Sequence, residues 1–380
     1  MTALPAWLQA AQLLLLRVLH ACGLTGDIAG QPAWPFAQRI AVETLAIDAG
    51  LARQFVWACG AVAAIAPLLA CAAASRRLRW PACGIALVVA AAVPWPAPAL
   101  LLTDAVPTSF HHSTTSFDAP SIDAGLALYR THCAACHGAD GRGETPLAAT
   151  LATWPPRLTG GLLWKRAEGE LHWRIRHGIT GRDGTTTMPT FAHTLGDADT
   201  WAVLDGLRAL AAGDSVRRES AWQWPVRVPD LQVRCDLRAT RALEDWRGQR
   251  LRIVVARGDD APPREDPRLV TIVLRAANAA PSTPTGCIAD ARGAMRAFAT
   301  VAGVALDALP GTQFIVDRDG WLRAIAPPGD SAWSSERLLC RAGDVPRDAQ
   351  AAKDDGLDGL IRQMDADPVR LAAFGLPHAR

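Results

Sequence analysis

Apolar and polar positions divide this chain unevenly. Three apolar runs open it, near residues 4–24, 55–74 and 80–102, and charge is sparse until about residue 100. Residues 55–74 carry no charge over twenty positions, which at about 1.5 Å per residue is about 30 Å of helix, the thickness of a bilayer's hydrocarbon. Pro67 is expected to kink that helix, as membrane helices tolerate. In the third run, Trp80 and Trp95 fall at interfacial levels, and Pro94, Pro96 and Pro98 predict that the helix ends or bends before Leu100. The first run is interrupted by Arg17 and His20. Its Leu19-His20-Ala21-Cys22 stretch resembles a lipoprotein cleavage box, but no Lys or Arg precedes the apolar stretch, so a spanning helix is expected in place of a cleaved signal. The loop Ser75-Arg76-Arg77-Leu78-Arg79 is a compact cationic cluster expected to stay cytoplasmic, which delivers everything after residue 103 to the opposite side.

The pattern changes behind the membrane region of residues 1–104. Residues 105–120 are a linker rich in Pro, Ser and Thr, with His111 and His112 read as solvated side chains. Ser121 reads as an N-cap, with Gly125, Leu128 and Tyr129 on one face of the helix it starts. Residues 138–196 are a Gly- and Pro-rich loop with short helical pieces near Leu162–Arg166 and Glu170–His177. A second long helix, capped by Asp197 or Asp199, carries Trp201, Leu204, Leu207 and Leu210 on one face, and Gly213 is expected to end it. Beyond it, Leu251–Ala256 and Leu269–Leu274 read as buried strands and Ala291–Ala302 as a helix. Phe314–Asp317 and Trp321–Ile325 read as a hairpin turned by Asp319-Gly320, giving a small α/β domain over 222–340. Residues 341–380 form a polar tail.

Composition adds limits. The net charge of +2 gives no global field for nucleic acid. Nine cysteines are too scattered for a disulfide scaffold; Cys22, Cys59, Cys71 and Cys83 sit in apolar stretches as small hydrophobes. Cys235, Cys287 and Cys340 are an odd remainder, with Cys287 standing alone.

The chemistry lies in Cys133-Ala134-Ala135-Cys136-His137. Two thiols spaced by two residues meet the vinyl groups along one edge of haem, and the adjacent imidazole reaches the iron. With nine Cys and nine His in 380 residues, a chance CxxCH is expected on the order of one time in two hundred. A redox CxxC belongs between a strand and a helix, whereas this one follows a helix and precedes Gly138-Ala139-Asp140-Gly141-Arg142-Gly143. For the sixth iron position the candidate is Met188, in Thr187-Met188-Pro189-Thr190-Phe191, ahead of Met295, Met364 and the competitors His172, His177 and His193. A thioether ligand favours reduced iron and raises the potential relative to a second imidazole.

From these residues, 121–213 resemble an all-α class I mono-haem cytochrome c domain. The resemblance implies one covalent haem c on Cys133 and Cys136, with His137 and Met188 on the iron. It also implies a proline carbonyl (Pro155 or Pro156) oriented on the His137 imidazole, and a helix crossing through Gly125 and Tyr129 met by Trp201 or Leu204. Arg157, Trp164, Trp173 and Arg174 become candidates for the haem propionates. The run Pro107–Phe110 and then Ser121–Gly143, with Trp34-Pro35-Phe36 and Phe314–Ala324, is similar to cytochrome domains fused behind the membrane segments of copper-resistance CopD-like proteins; here about three spans replace a complete membrane domain. Val228-Pro229-Asp230-Leu231, the strand pair and Phe314–Gly320 resemble a thioredoxin-like domain without its CxxC.

The expected protein is thus multidomain: N-terminal transmembrane helices, a cytochrome c domain and a C-terminal α/β thioredoxin-like domain. It is expected in the bacterial inner membrane, passing it several times with the haem facing the periplasm. It is an electron carrier for a redox partner protein or membrane complex in place of an enzyme. The alternative is a haem subunit of a copper-handling or other oxidoreductase complex.

Overall fold

A computed structural model describes residues 3–181, 183–235, 239–258, 266–275, 287–290, 293–329, 333, 337–338 and 356–369; Cys340 and most of the expected tail lie outside them. The described residues form two compact units, one of 3–111 with 167–170, the other of 112–166 with 171–369.

In the first unit, helix α1 (Ala3–Ala21) buries Leu8 with Val42, Leu45 and Leu51, and Leu16 with Trp34 and Phe110. Helix α2 (Ala49–Ala74) starts where Asp48 accepts the Gly50 and Leu51 amides at 2.8 and 3.0 Å. Its Gly50–Ala74 stretch, mean hydropathy 2.1, is the one helix among the described residues long and apolar enough to cross a membrane. The helix expected over 80–102 is shorter: α3 runs Arg79–Ala92, fourteen residues, and breaks before Pro94. Chain direction is then reset by the prolines, whose rings and missing N–H groups do not continue a helix. Leu102–Asp104 pairs antiparallel with Gln38–Ile40, so the α2–α3 hairpin leaves one short ribbon and returns to it. Beside that ribbon the buried Arg39 guanidinium pairs with Glu43 at 3.0 Å and with Glu170 at 2.7 Å. Buried charge of this kind persists only when paired.

In the second unit, helix α4 (Ala119–His132) crosses a long helix α6 (Asp197–Glu219), with α5 (Glu168–His177) before it. The N-cap of α4 is Asp118, whose carboxylate accepts the Ser121 amide at 2.7 Å; Ser121 itself lies inside the helix. Gly125 and Gly206 make the crossing: a Cβ on Gly125 would lie 1.7 Å from the Ala202 carbonyl oxygen, and one on Gly206 2.7 Å from the Leu126 amide. Gly213 does not end α6. The helix continues to Glu219 and stops at Ser220 in the left-handed conformation, because Gly213 serves a second close approach: its Cβ would lie 2.0 Å from the Thr300 carbonyl oxygen.

That second approach is to the C-terminal region. Its strands are β1 (Gln232–Cys235), β2 (Arg241–Ala242), β3 (Leu251–Val255), β4 (Val270–Arg275), β5 (Cys287–Asp290), β6 (Gln313–Val316) and β7 (Leu322–Ala326). They form one sheet in the order β7-β6-β3-β4-β5-β1-β2, parallel across β3, β4 and β5 and antiparallel elsewhere. Alternation decides the faces. Phe314 and Val316 look toward helix α7 (Ala294–Ala302), while Ile315, Ala324 and Ala326 pack with Leu360, Ile361 and Met364 of helix α8 (Gly356–Ala366). The rear of the α4–α6 pair joins the first of these cores: Ile122, Leu126, Ala209 and Ala212 pack with Phe298 and Val301, Trp222 donates to the Val301 carbonyl at 3.0 Å, and Asp123 pairs with Arg296.

Cys287 does not stand alone. The β5–β1 register sets it opposite Cys235, and the two form a disulfide across 52 residues of sequence. The separation hid the pairing from a reading of spacing, since strand register, not proximity in sequence, brings the thiols together.

Candidate functional site

Helix α4 delivers the CxxCH segment. Cys133 closes α4, and Ala134–His137 form one further helical turn in which the His137 amide donates to the Cys133 carbonyl at 2.9 Å. A turn of this kind holds two cysteines three positions apart on one side. Both are free thiols and half-buried. Burial, and then the neighbouring Cys136, push the Cys133 thiol up to about 11, so it is held protonated in an apolar setting.

The loop after His137 is tied back on it. Gly138, Gly141 and Gly143 take left-handed φ values of 78°, 76° and 76°. The Gly143 amide donates to the His137 carbonyl at 2.7 Å and the Leu158 amide to the Gly141 carbonyl at 2.7 Å. A Cβ on Gly143 would stand 2.8 Å from the Pro155 carbonyl oxygen, which requires glycine there. These contacts bring Pro155 and Pro156 against the haem motif. Burial lowers the His137 imidazole pKa, and the Pro156 carbonyl opposes that shift; no hydrogen bond of ordinary geometry closes on its buried Nδ1. Tyr129 is fully buried and donates from its hydroxyl to the Gly138 carbonyl at 2.6 Å, fixing the exit of the motif; burial raises its pKa.

An apolar cluster lies beside this loop: Leu163, Leu171, Ile175, Leu195, Trp201 and Leu204, with Cys133, Met188 and Phe191 packed against it. Met188 ends the short strand Thr186–Met188, paired with Ile179–Thr180. The other two described methionines belong elsewhere, Met295 with the α7 core and Met364 with α8. The competing histidines are engaged or exposed. His172 stacks on Trp201, ring centroids 4.3 Å apart, with Nε2 2.9 Å from Asp197; His177 stacks on Trp173; His193 is exposed.

The propionate candidates fare differently. Trp164 commits its indole N–H to the Pro225 carbonyl at 3.1 Å and stacks on Trp224. Arg157 turns to Asp214, 3.4 Å away, and to Thr159. Trp201, which sequence reading assigned to the helix crossing, carries a buried Nε1 with no hydrogen-bond partner. Two buried carboxylates on α6 escaped the sequence reading altogether: Asp205, which takes the hydroxyls of Thr115 and Ser121, and Asp214. Acidic residues on a helix read as solvated, and nothing local to them announces burial. Among the described residues no trio of His, Cys, Asp or Glu is placed to hold a bare metal ion.

These features fit a covalent haem. Cys133 and the Met188 thioether lie on the border of one apolar cluster, Cys136 and His137 follow Cys133 on the same turn, and the cluster's own Trp201 carries a buried indole N–H without a partner. Two thiols, a neighbouring imidazole and a thioether are the donor set that a covalent haem takes.

Comparison with known proteins agrees. Residues 120–205 match the family model described as cytochrome C oxidase, cbb3-type, subunit III. Similar solved structures include the Kuenenia stuttgartiensis reducing HAO-like protein complex Kustc0457/Kustc0458 (24% identity, 28% of this chain and 49% of that one, TM-score 0.23). Another is the KustC0563 c-type cytochrome (25% identity, 23% of this chain and 95% of that one, TM-score 0.19). The chain thus spans about half the length of the first. Comparison with curated proteins gives no match. Residues 120–205 are a cytochrome c domain, which implies covalently bound haem c.

Proposed function

We propose that this chain is a membrane-tethered c-type cytochrome that passes single electrons through one haem, held by Cys133 and Cys136, with His137 and Met188 as the axial ligands. The observation that carries this reading is the shared border of Cys133 and Met188 on one apolar cluster, with His137 on the turn that follows Cys133. When bound, the haem supplies a reversible ferric–ferrous couple. The chain's own residues then set its surroundings. The Pro156 carbonyl approaches the His137 imidazole, Tyr129 holds the loop by the Gly138 carbonyl, and Leu163, Leu171 and Ile175 exclude water. A dry shell of this kind sets the potential, and a closed six-coordinate iron favours electron transfer over ligand activation.

The membrane reading rests on α2 and on the ribbon. Because the hairpin returns to Gln38–Ile40, the end carrying Arg76, Arg77 and Arg79 is the far end of the hairpin from Asp104. With those arginines cytoplasmic, the haem domain faces the periplasm of a bacterial inner membrane. The α3 helix supplies about 21 Å, and Val93 and Ala97 at the two ends of the proline segment after it are extended. Pro94 and Pro96 have no N–H to leave unsatisfied in lipid. In the C-terminal region, the order β7-β6-β3-β4, with β3 and β4 parallel and the rest antiparallel, supports a thioredoxin-like module without a CxxC. A second reading, a haem subunit of a larger oxidoreductase complex, draws on the oxidase-subunit family that residues 120–205 match.

The test is a pyridine haemochrome assay with a reductive titration on detergent-extracted protein. One haem c per chain and a one-electron wave are expected; no haem, or more than one per chain, refutes the reading.

A further inference from the structure

Asp214 sits on α6 with its carboxylate buried, directly after the glycine that seats that helix on the Thr300 carbonyl. It meets three arginines: Arg142 at 2.7 Å, Arg157 at 3.4 Å and Arg217 at 3.7 Å. Two of them come from the segments that bracket His137. Arg142 belongs to the glycine loop that returns to the His137 carbonyl, and Arg157 directly follows Pro155 and Pro156. The Thr159 hydroxyl joins the same network, accepting from Arg157 Nε at 3.2 Å and bonding Asp214. One carboxylate, more than seventy residues from the haem motif, therefore ties both segments to the closing helix.

We propose that Asp214 is a positioning residue for the haem: through Arg142, Arg157 and Thr159 it clamps the 138–143 loop and the Pro155-Pro156 segment around His137, keeping water from that side of the iron. This rests on the haem reading above and adds a residue to it. Asp214 touches neither thiol nor imidazole; it acts through the arginines. The clamp also links the C-terminal region to the iron's surroundings, since the seat of α6 on the Thr300 carbonyl sets where the carboxylate stands.

Charge and position make opposite predictions. Removing a nearby negative charge by Asp214→Asn raises the midpoint potential if only Coulomb attraction to ferric haem matters. Opening the loop to water stabilises the more highly charged ferric state and lowers it. Thr159→Val removes a neutral hydrogen bond with no change in charge.

The experiment is a potentiometric titration of the full-length protein carrying Asp214→Asn, Thr159→Val or Asp214→Glu. Amide hydrogen exchange at Gly143 and Leu158 is measured on the same samples. The clamp predicts a lower potential in Asp214→Asn, a smaller fall in Thr159→Val, partial recovery in Asp214→Glu, and exchange at both amides about tenfold faster in the first variant. A raised potential in Asp214→Asn with Thr159→Val unchanged, or amide exchange unchanged in both, overturns it. Should Asp214→Asn fail to load haem, Thr159→Val decides alone: no fall in potential and no faster exchange refutes the clamp. A wild-type protein without a c-type haem spectrum overturns the haem reading instead, and the exchange rates still report on the clamp.

Discussion

Helix α6 has two working ends, and they differ in what they leave unfinished. Its first half, with Trp201, Leu204 and Leu207, faces the cluster that holds Cys133 and Met188. There Cys133, Met188 and Phe191 pack at the edge of the cluster, and the buried Trp201 indole N–H has no partner. Its second half, with Ala209, Ala212 and Gly213, closes against α7 and the sheet, backbone on backbone at Thr300. Trp222 there has its indole N–H satisfied by the Val301 carbonyl. One end of α6 thus borders the CxxCH turn, and the other seats the helix on the C-terminal core.

Breaking each end should give different failures. Cys133→Ala with Cys136→Ala removes both attachment points, and mass spectrometry of the denatured protein should show complete loss of covalent haem. At the scaffold end, Gly213→Val forces a Cβ onto the Thr300 carbonyl; the cost is about 3 kcal/mol, read as a lower urea midpoint for the C-terminal region and α6 together. If the two regions then melt separately, the shared core is not what joins them. Tyr129→Phe leaves the Gly138 carbonyl without its donor and should cost about 1–2 kcal/mol while haem attachment survives. The smallest effect is a pH dependence. In the haem-free chain His137 has a lowered pKa through burial, so below the ordinary histidine value of about 6.5 the unfolded state takes up protons that the folded state does not. Stability is therefore retained above that value and lost as pH falls below it; His137→Gln should flatten that slope in acid denaturation.

Sequence made the pocket end legible and the scaffold end much less so. CxxCH and the Gly125 crossing are local patterns that spacing alone discloses. Gly213 looked like a helix stop because a glycine after an apolar stripe is the commonest C-terminal signal, and only a carbonyl 87 residues away explains it. The Cys235–Cys287 bond depends on strand register, and the burial of Asp214 on arginines from two separate loops. The third apolar run was long enough by count, but its prolines cut the helix at Ala92. In each case a distant partner, or a proline acting on the backbone, overrode the local pattern.

The central claim is that the pocket end of α6 closes a six-coordinate haem with Met188 over the iron. Near-infrared magnetic circular dichroism of the oxidised protein, compared with Met188→Ala, addresses it directly. The account predicts a thioether-to-ferric-iron charge-transfer band in the wild-type protein and its loss in the variant, with haem still covalently attached. Absence of that band in the wild type, or its persistence in Met188→Ala, would contradict it.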